Sequence, residues 1–206
     1  MKTNYNLKMN DIISSLKSAP KILLHSCCGP CSTECITRLT KYFDITVLYY
    51  NPNIEPQEEY EKRKQEQIRF IKAFKPINKL DFMDCDYDNA SFERMTEGLE
   101  KEPEGGKRCH KCYELRLKKT ANIAKEKGYD FFGTTLTVSP YKNSQIINEI
   151  GEIVSKNVGV EFLYSDFKKE DGYKKSIELS KEYSLYRQNY CGCHYSKDNA
   201  IIKEEV

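Results

Sequence analysis

Seven of this chain's nine cysteines fall into three short motifs: Cys27-Cys28-Gly29-Pro30-Cys31, Cys109-His110-Lys111-Cys112 and Cys191-Gly192-Cys193. Cys35 follows the first motif by one helical turn, and Cys85 lies outside all three. Thiols gathered in this way, in a chain with no sign of being secreted, argue for a metal site. Their type and spacing point to iron and sulfur ahead of zinc. Any fold for this chain has to accommodate that requirement.

Composition agrees with reduced thiols. The segment from Met1 to Lys8 lacks the apolar stretch of a secretory signal. No apolar run approaches the roughly 20 residues needed to cross a bilayer. The expectation is a cytoplasmic protein with no membrane partner, where clustered cysteines are metal-binding or catalytic rather than disulfide-bonded. An odd count of nine also disfavours a disulfide framework. At 206 residues with 39% hydrophobic content, the chain can bury a full core without disulfides. Its 33 basic and 31 acidic residues leave a net charge of +2, unlike a protein that coats nucleic acid with its whole surface.

The pattern along the chain alternates strand and helix. Lys21–His25 reads as a short buried strand running into Ser26-Cys27-Cys28-Gly29-Pro30, with Pro30 suited to the first turn of a helix reaching about Phe43. Strands are expected at Ile45–Tyr50, Lys79–Phe82, Asp130–Thr137 and Val160–Tyr164. Helices are expected from Gln57 to Phe74, Ser91 to Glu100, Arg108 to Lys127 and Ser144 to Lys156. Such alternation predicts an α/β fold, a parallel sheet with helices on both faces. We read one domain over 1–206, with a helical extension over 1–20 and a helical segment over 171–206 carrying the last cysteine motif. In folds of this class, ligands sit beyond the carboxyl ends of the strands. That edge gathers the first cysteine motif, Asp84-Cys85 and Ser139-Pro140-Tyr141, with the cysteines where nucleotide-binding relatives put a phosphate loop.

Adjacent residues of an extended segment point to opposite sides, so Cys27 and Cys28 fit poorly on a single ion and suit two neighbouring centres. Cys31 and Cys35 share a helix face. Cys109 and Cys112 open a later helix, where the dipole favours thiolates. Gly192 lets Cys191 and Cys193 wrap around a cluster. A zinc reading is also available: Cys109, Cys112, Cys191 and Cys193 would satisfy one tetrahedral ion, leaving Cys27, Cys28 and Cys31 unexplained. A metal-free reading makes the thiols redox-active or simply buried. Cys35 and Cys85 read as structural, and His25 on its apolar strand as a hydrogen-bonded core residue.

At His25-Ser-Cys-Cys-Gly-Pro-Cys-Ser32, Arg108-Cys-His-Lys-Cys-Tyr113 with Arg116-Leu117, Thr134-Thr-Leu-Thr-Val-Ser-Pro-Tyr-Lys142 and Tyr186-Arg-Gln-Asn-Tyr-Cys-Gly-Cys-His-Tyr-Ser196, the chain resembles the cobalamin-independent epoxyqueuosine reductases, the QueH family. The resemblance runs from about Lys21 to Ser196. It implies a Rossmann-like fold of the adenine-nucleotide-hydrolase kind, with reduction of epoxyqueuosine to queuosine at the wobble position of tRNA as the last step of queuosine synthesis. A 4Fe–4S cluster and an adjacent mononuclear iron are implied as cofactors, and tRNA bearing epoxyqueuosine and an external electron donor as partners. Carried over by motif, Cys109, Cys112, Cys191 and one of Cys27 and Cys28, taken as Cys28, would hold the cluster. The other member of that pair, Cys31 and Cys193 are candidates for the second iron. Some family members carry Asp where this chain has Cys31, and a ligand position explains that swap because both side chains coordinate iron.

Removing an epoxide oxygen as water takes two electrons and two protons, and no side chain supplies electrons. A second iron would act on the epoxide oxygen. Candidate proton donors are Tyr141, His25 and Asp84, and Tyr141, Tyr190 and Tyr195 are candidates for stacking an unstacked base. Two rivals differ in class. A tRNA-thiolating ATP pyrophosphatase needs a Ser-Gly-Gly-x-Asp-Ser type loop where Ser26-Cys27-Cys28-Gly29-Pro30-Cys31 stands. A non-catalytic zinc module docking RNA predicts zinc without sulfide.

Overall fold

The computed structural model describes residues 3–197. Five parallel strands form one sheet in the order β3-β2-β1-β4-β5: β1 Lys21–His25, β2 Asp44–Tyr49, β3 Leu80–Asp84, β4 Phe131–Thr134 and β5 Glu161–Phe162. The helices are α1 Tyr5–Ser15, α2 Gly29–Leu39, α3 Gln57–Ala73, α4 Asn89–Thr96, α5 Lys107–Glu126, α6 Ser144–Val158 and α7 Gly172–Glu182. No helix among the described residues is long and apolar enough to cross a membrane.

Residues of β1 after Lys21 are buried, because both faces of the central strand are covered. The two-residue period of the pleat divides them. Ile22 and Leu24 join Met9, Ile36, Leu39 and Phe70 on one face, while Leu23 joins Leu117, Ala121, Phe132 and Ile147 on the other. Each fully buried Leu on this strand contributes about 1.5–3 kcal/mol. This is the α/β sheet with helices on both faces that the alternation predicts.

Two predicted strands are shorter than expected. The run to Thr137 leaves the sheet at Thr134, whose Oγ1 accepts the Leu136 N–H at 3.2 Å and caps a 3-10 turn over Thr135–Val138. In the last strand Glu161 and Phe162 are in register with β4, and Leu163 adds one N–H bond to Phe132 O at 2.9 Å before the chain leaves the sheet. Helix α4 begins earlier than expected because Asp88 caps it, its side chain accepting from Ser91 N. After α7 the chain is irregular through Cys191-Gly192-Cys193, so the last cysteine motif sits in a loop.

Strand β1 pairs with β2 on one side and β4 on the other, so the strand order reverses between β1 and β4. The sheet therefore opens a crevice at their carboxyl ends. The first cysteine motif leaves β1 there, and the turn leading to Tyr141 and Lys142 leaves β4 there.

Candidate metal centre

The sheet ends at His25 and α2 begins at Gly29, so Cys27 and Cys28 occupy the turn between them. Ser26 is fixed beneath that turn: its N–H donates to Leu48 O at 2.9 Å, its hydroxyl to Gln67 Oε1 at 2.6 Å, and its carbonyl accepts Asn51 Nδ2 at 2.8 Å. The Cys27 and Cys28 sulfurs lie 3.9 Å apart, and with Cys31 all three lie within 4.8 Å of one another. The strand-based expectation that adjacent cysteines diverge is therefore overturned. Cys28 itself keeps extended backbone angles, φ −172° and ψ 162°, but the chain turns into α2 directly after it, and the three sulfurs end up close enough to share one ion or to face two neighbouring centres.

Cys28 is the N-cap of α2. Hydrogen bonds from Cys27 and then Cys31 hold its thiol well below the usual range, and the helix N-terminus favours the same thiolate. Cys31 is pushed up by the same two neighbours and by burial. Of the three thiols, Cys28 is the one whose environment favours the thiolate.

Cys109 and Cys112, in the first turns of α5, and Cys191 and Cys193 line a second cavity beside Asn53, Tyr113 and Arg116. Burial raises Cys112 to about 11, and burial followed by Cys191 raises Cys193 to about 12. The last two cysteines are pinned from below. Glu55 N–H donates to Gly192 O at 2.9 Å, Arg63 Nη1 to Cys191 O at 3.1 Å, and Cys191 N–H to Ser196 Oγ at 3.0 Å. Gly192 has φ +129°, and a Cβ there would lie 2.8 Å from Ile54 Cγ1. His194 Nδ1 lies 3.0 Å from Glu55 Oε1, closing the clamp.

The two thiol groups share one cleft of about 510 Å³, lined by Cys27, Cys31 and Cys191 together with Tyr141, Lys142 and Tyr190. A larger groove of about 760 Å³ between α1, α2 and α7 contains no cysteine. Over the thiols stand two cations. Arg116 is 1% exposed, its Nε donating to Cys112 O at 3.2 Å. Burial disfavours its charge, yet Cys112, Cys191 and Cys27 outweigh that and raise its pKa. Half-buried Lys142 is likewise raised, by Cys191 and Cys27 against burial.

The three candidate proton donors have different surroundings. Tyr141 is 80% exposed and lines both cavities. His25 is fully buried, with Nδ1 2.9 Å from Thr134 Oγ1 and Nε2 3.0 Å from Tyr50 O. Burial, then Arg116, lowers its pKa to about 3, so the ring is neutral and serves to tie strands together. Asp84, half-exposed, pairs with Lys64 at 3.1 Å and lines neither cavity. Cys35 is fully buried and Cys85 packs beside the core, as structural thiols do. Sequence reasoning missed Arg63, Arg116 and Lys142 as site residues. The available signal was the spacing Cys109, Cys112, Arg116, which places an arginine on the same face of α5 as two thiols.

Residues 22–199 match the family model for epoxyqueuosine reductase QueH. This chain belongs to the QueH family. It is 48% identical to epoxyqueuosine reductase QueH of Streptococcus pyogenes serotype M1, over 86% of this chain and 70% of that one. The Staphylococcus epidermidis QueH is 45% identical over 95% and 85%, and the Thermotoga maritima QueH 35% over 85% and 89%. These relatives are named as reductases, and QueH proteins are oxidoreductases. Among solved structures, a predicted subunit of tRNA methyltransferase from Methanocaldococcus jannaschii has a TM-score of 0.49 at 12% identity, covering 78% of this chain and 75% of that one. A metal cofactor fits this QueH chain on two counts: its donors are thiols gathered in one crevice, and the buried Arg116 beside them has no acidic partner among the described residues.

Proposed function

We propose that this chain reduces the epoxide of epoxyqueuosine, at the wobble position of tRNA, to the alkene of queuosine, using iron held by the crevice thiols. The observation that carries the reading is the meeting of three cysteine motifs at the point where the strand order reverses, beside buried Arg116 and half-buried Lys142, neither of which makes a salt bridge among the described residues. In this reading Cys109, Cys112, Cys191 and Cys28 hold a 4Fe–4S cluster, and Cys27, Cys31 and Cys193 a second iron. When bound, these groups supply single electrons from an external donor and a Lewis acid for the epoxide oxygen.

The chain's own residues do the rest. The reaction consumes two electrons and two protons and releases water. Tyr141, exposed on the rim of the cleft, offers a face on which a base taken out of its stack can lie. Its hydroxyl is the candidate proton donor, because His25 is neutral and enclosed and Asp84 lies outside the cleft. Lys142, at the same rim, holds its proton at Nζ and attracts the developing negative charge on oxygen. Arg187 and Tyr190 line the same cleft, where a phosphate and a second base can be contacted.

The test is anaerobic purification followed by a count of iron, zinc and acid-labile sulfide, then turnover of tRNA carrying epoxyqueuosine with a chemical reductant. The reading expects about four sulfides and four to five irons per chain, with iron and turnover both lost in Cys191→Ala. Zinc near one per chain without sulfide would overturn it in favour of a structural site.

A further inference from the structure

Three arginines are buried near the thiols, and each is compensated differently. Arg63 is paired with Glu59 at 2.7 Å. Arg108 donates to the carbonyls of Leu99, Glu100 and Glu102. Arg116 has neither arrangement. Among the described residues its Nε reaches only the Cys112 carbonyl, its Nη2 has no hydrogen-bond partner, and it makes no salt bridge. Lys142, the other cation of the crevice, also makes no salt bridge among the described residues. Glu104 lines the crevice but accepts from Ser196.

A guanidinium stripped of water and given no carboxylate needs some other anion nearby. The sulfurs of both thiol groups line the same crevice, and they coordinate a metal as thiolates, so the loaded centre supplies that negative charge. Arg116 stays charged at any working pH, so its field is a constant of the site. Burial leaves that field little screened by solvent or salt.

We infer that Arg116 is a positioning residue for electron transfer, its fixed charge, assisted by Lys142, raising the reduction potential of the centre held by the thiols. The inference rests on the proposed redox role of those thiols. Reduction adds one electron, and so one negative charge, to the centre, with the electron coming from an external one-electron donor. No bond breaks, and no proton leaves Arg116. A cation at this place stabilises the more negative state, so the reduced form becomes easier to reach.

The experiment is a dithionite titration of the anaerobically purified full chain, followed by visible absorption and electron paramagnetic resonance. It compares wild type with Arg116→Lys, Arg116→Met and Lys142→Met, with iron and sulfide counted in each. Arg116→Met is expected to keep its iron and shift the midpoint to more negative potential. Arg116→Lys, which retains the charge, stays near wild type, and Lys142→Met shifts in the same direction by less because Lys142 is more exposed. An unmoved midpoint in Arg116→Met with full iron overturns the inference, as does a shift in Arg116→Lys as large as in Arg116→Met, which would make shape the cause. If Arg116→Met does not fold, Lys142→Met decides, and an unmoved midpoint there overturns the inference. Wild-type protein without iron or sulfide would instead refute the proposed function before any variant is compared.

Discussion

Replacing Gly192 with Ala probes how the last cysteine loop is held, and its outcome follows from a comparison of magnitudes. The residue sits at φ +129°, and an added Cβ would lie 2.8 Å from Ile54 Cγ1 and 3.1 Å from Arg63 Nη1. Both neighbours are 1% exposed and have no room to yield. Backbone strain costs about 1–3 kcal/mol, and overpacking about 1–3 kcal/mol more. Against this stand three anchors: the Glu55 and Cys191 N–H bonds, at about 0.5–1.5 kcal/mol each, and the charged Arg63 bond, at about 1.5–3 kcal/mol. The penalty is as large as the anchoring. The sheet core is built from β1, β2 and β4 without this loop, so the loop lifts while the domain stays folded. The urea midpoint should remain at its wild-type value. Limited proteolysis between residues 183 and 193 should accelerate, and iron per chain should fall several-fold. Wild-type iron content with unchanged protease resistance would refute the reasoning. A lower urea midpoint would show instead that the loop unfolds with the sheet.

Other perturbations separate core from site. Cys35→Ala removes a thiol from the α2 core and should cost about 1 kcal/mol in denaturant melts while leaving iron content intact, unlike Cys191→Ala. Gly151→Ala adds a Cβ that overlaps the Phe162 ring; the clash of about 1–3 kcal/mol outweighs the helix-propensity gain of about 1 kcal/mol, so thermal stability should fall. Glu34, 8% exposed, has its pKa raised by burial, with Lys175 and Arg38 opposing. The unfolded chain therefore gives up this proton first, and the destabilising contribution grows as pH rises through 4.5 towards the folded value. Glu34→Gln should accordingly melt higher than wild type at pH 7, with the advantage shrinking as pH falls from the raised folded value towards 4.5 and gone below it. Tyr141→Phe keeps the stacking face and loses the hydroxyl, so KM for tRNA should hold while kcat falls at least tenfold; Tyr141→Ala should raise KM as well.

Much of the frame was legible because it depends on local chemistry. Lys21–His25 reads as a strand from its apolar run, and it is one. Helix α5 stops near Gly128, whose φ of +68° ends it as the sequence predicts. The 3-10 turn after Thr134 was not legible. Thr135-Leu136-Thr137-Val138 has strand-forming residues throughout, and a single hydroxyl accepting from Leu136 turns them out of the sheet. Asp84 was placed at the correct edge of the sheet, yet it points to Lys64, because an edge location does not determine which way a side chain faces.

The sequence by itself determined which atoms this protein brings to its chemistry: three cysteine motifs, the strand that delivers the first, and the alternation that implies a parallel sheet. These are properties of short stretches, set by residue type and spacing. Only the tertiary structure decided that Cys27, Cys28 and Cys31 cluster within 4.8 Å, that Arg116 is enclosed beside two thiol groups with no acidic partner among the described residues, and that His25 is neutral. Charge compensation and desolvation depend on which distant segments pack together, and no local pattern encodes them.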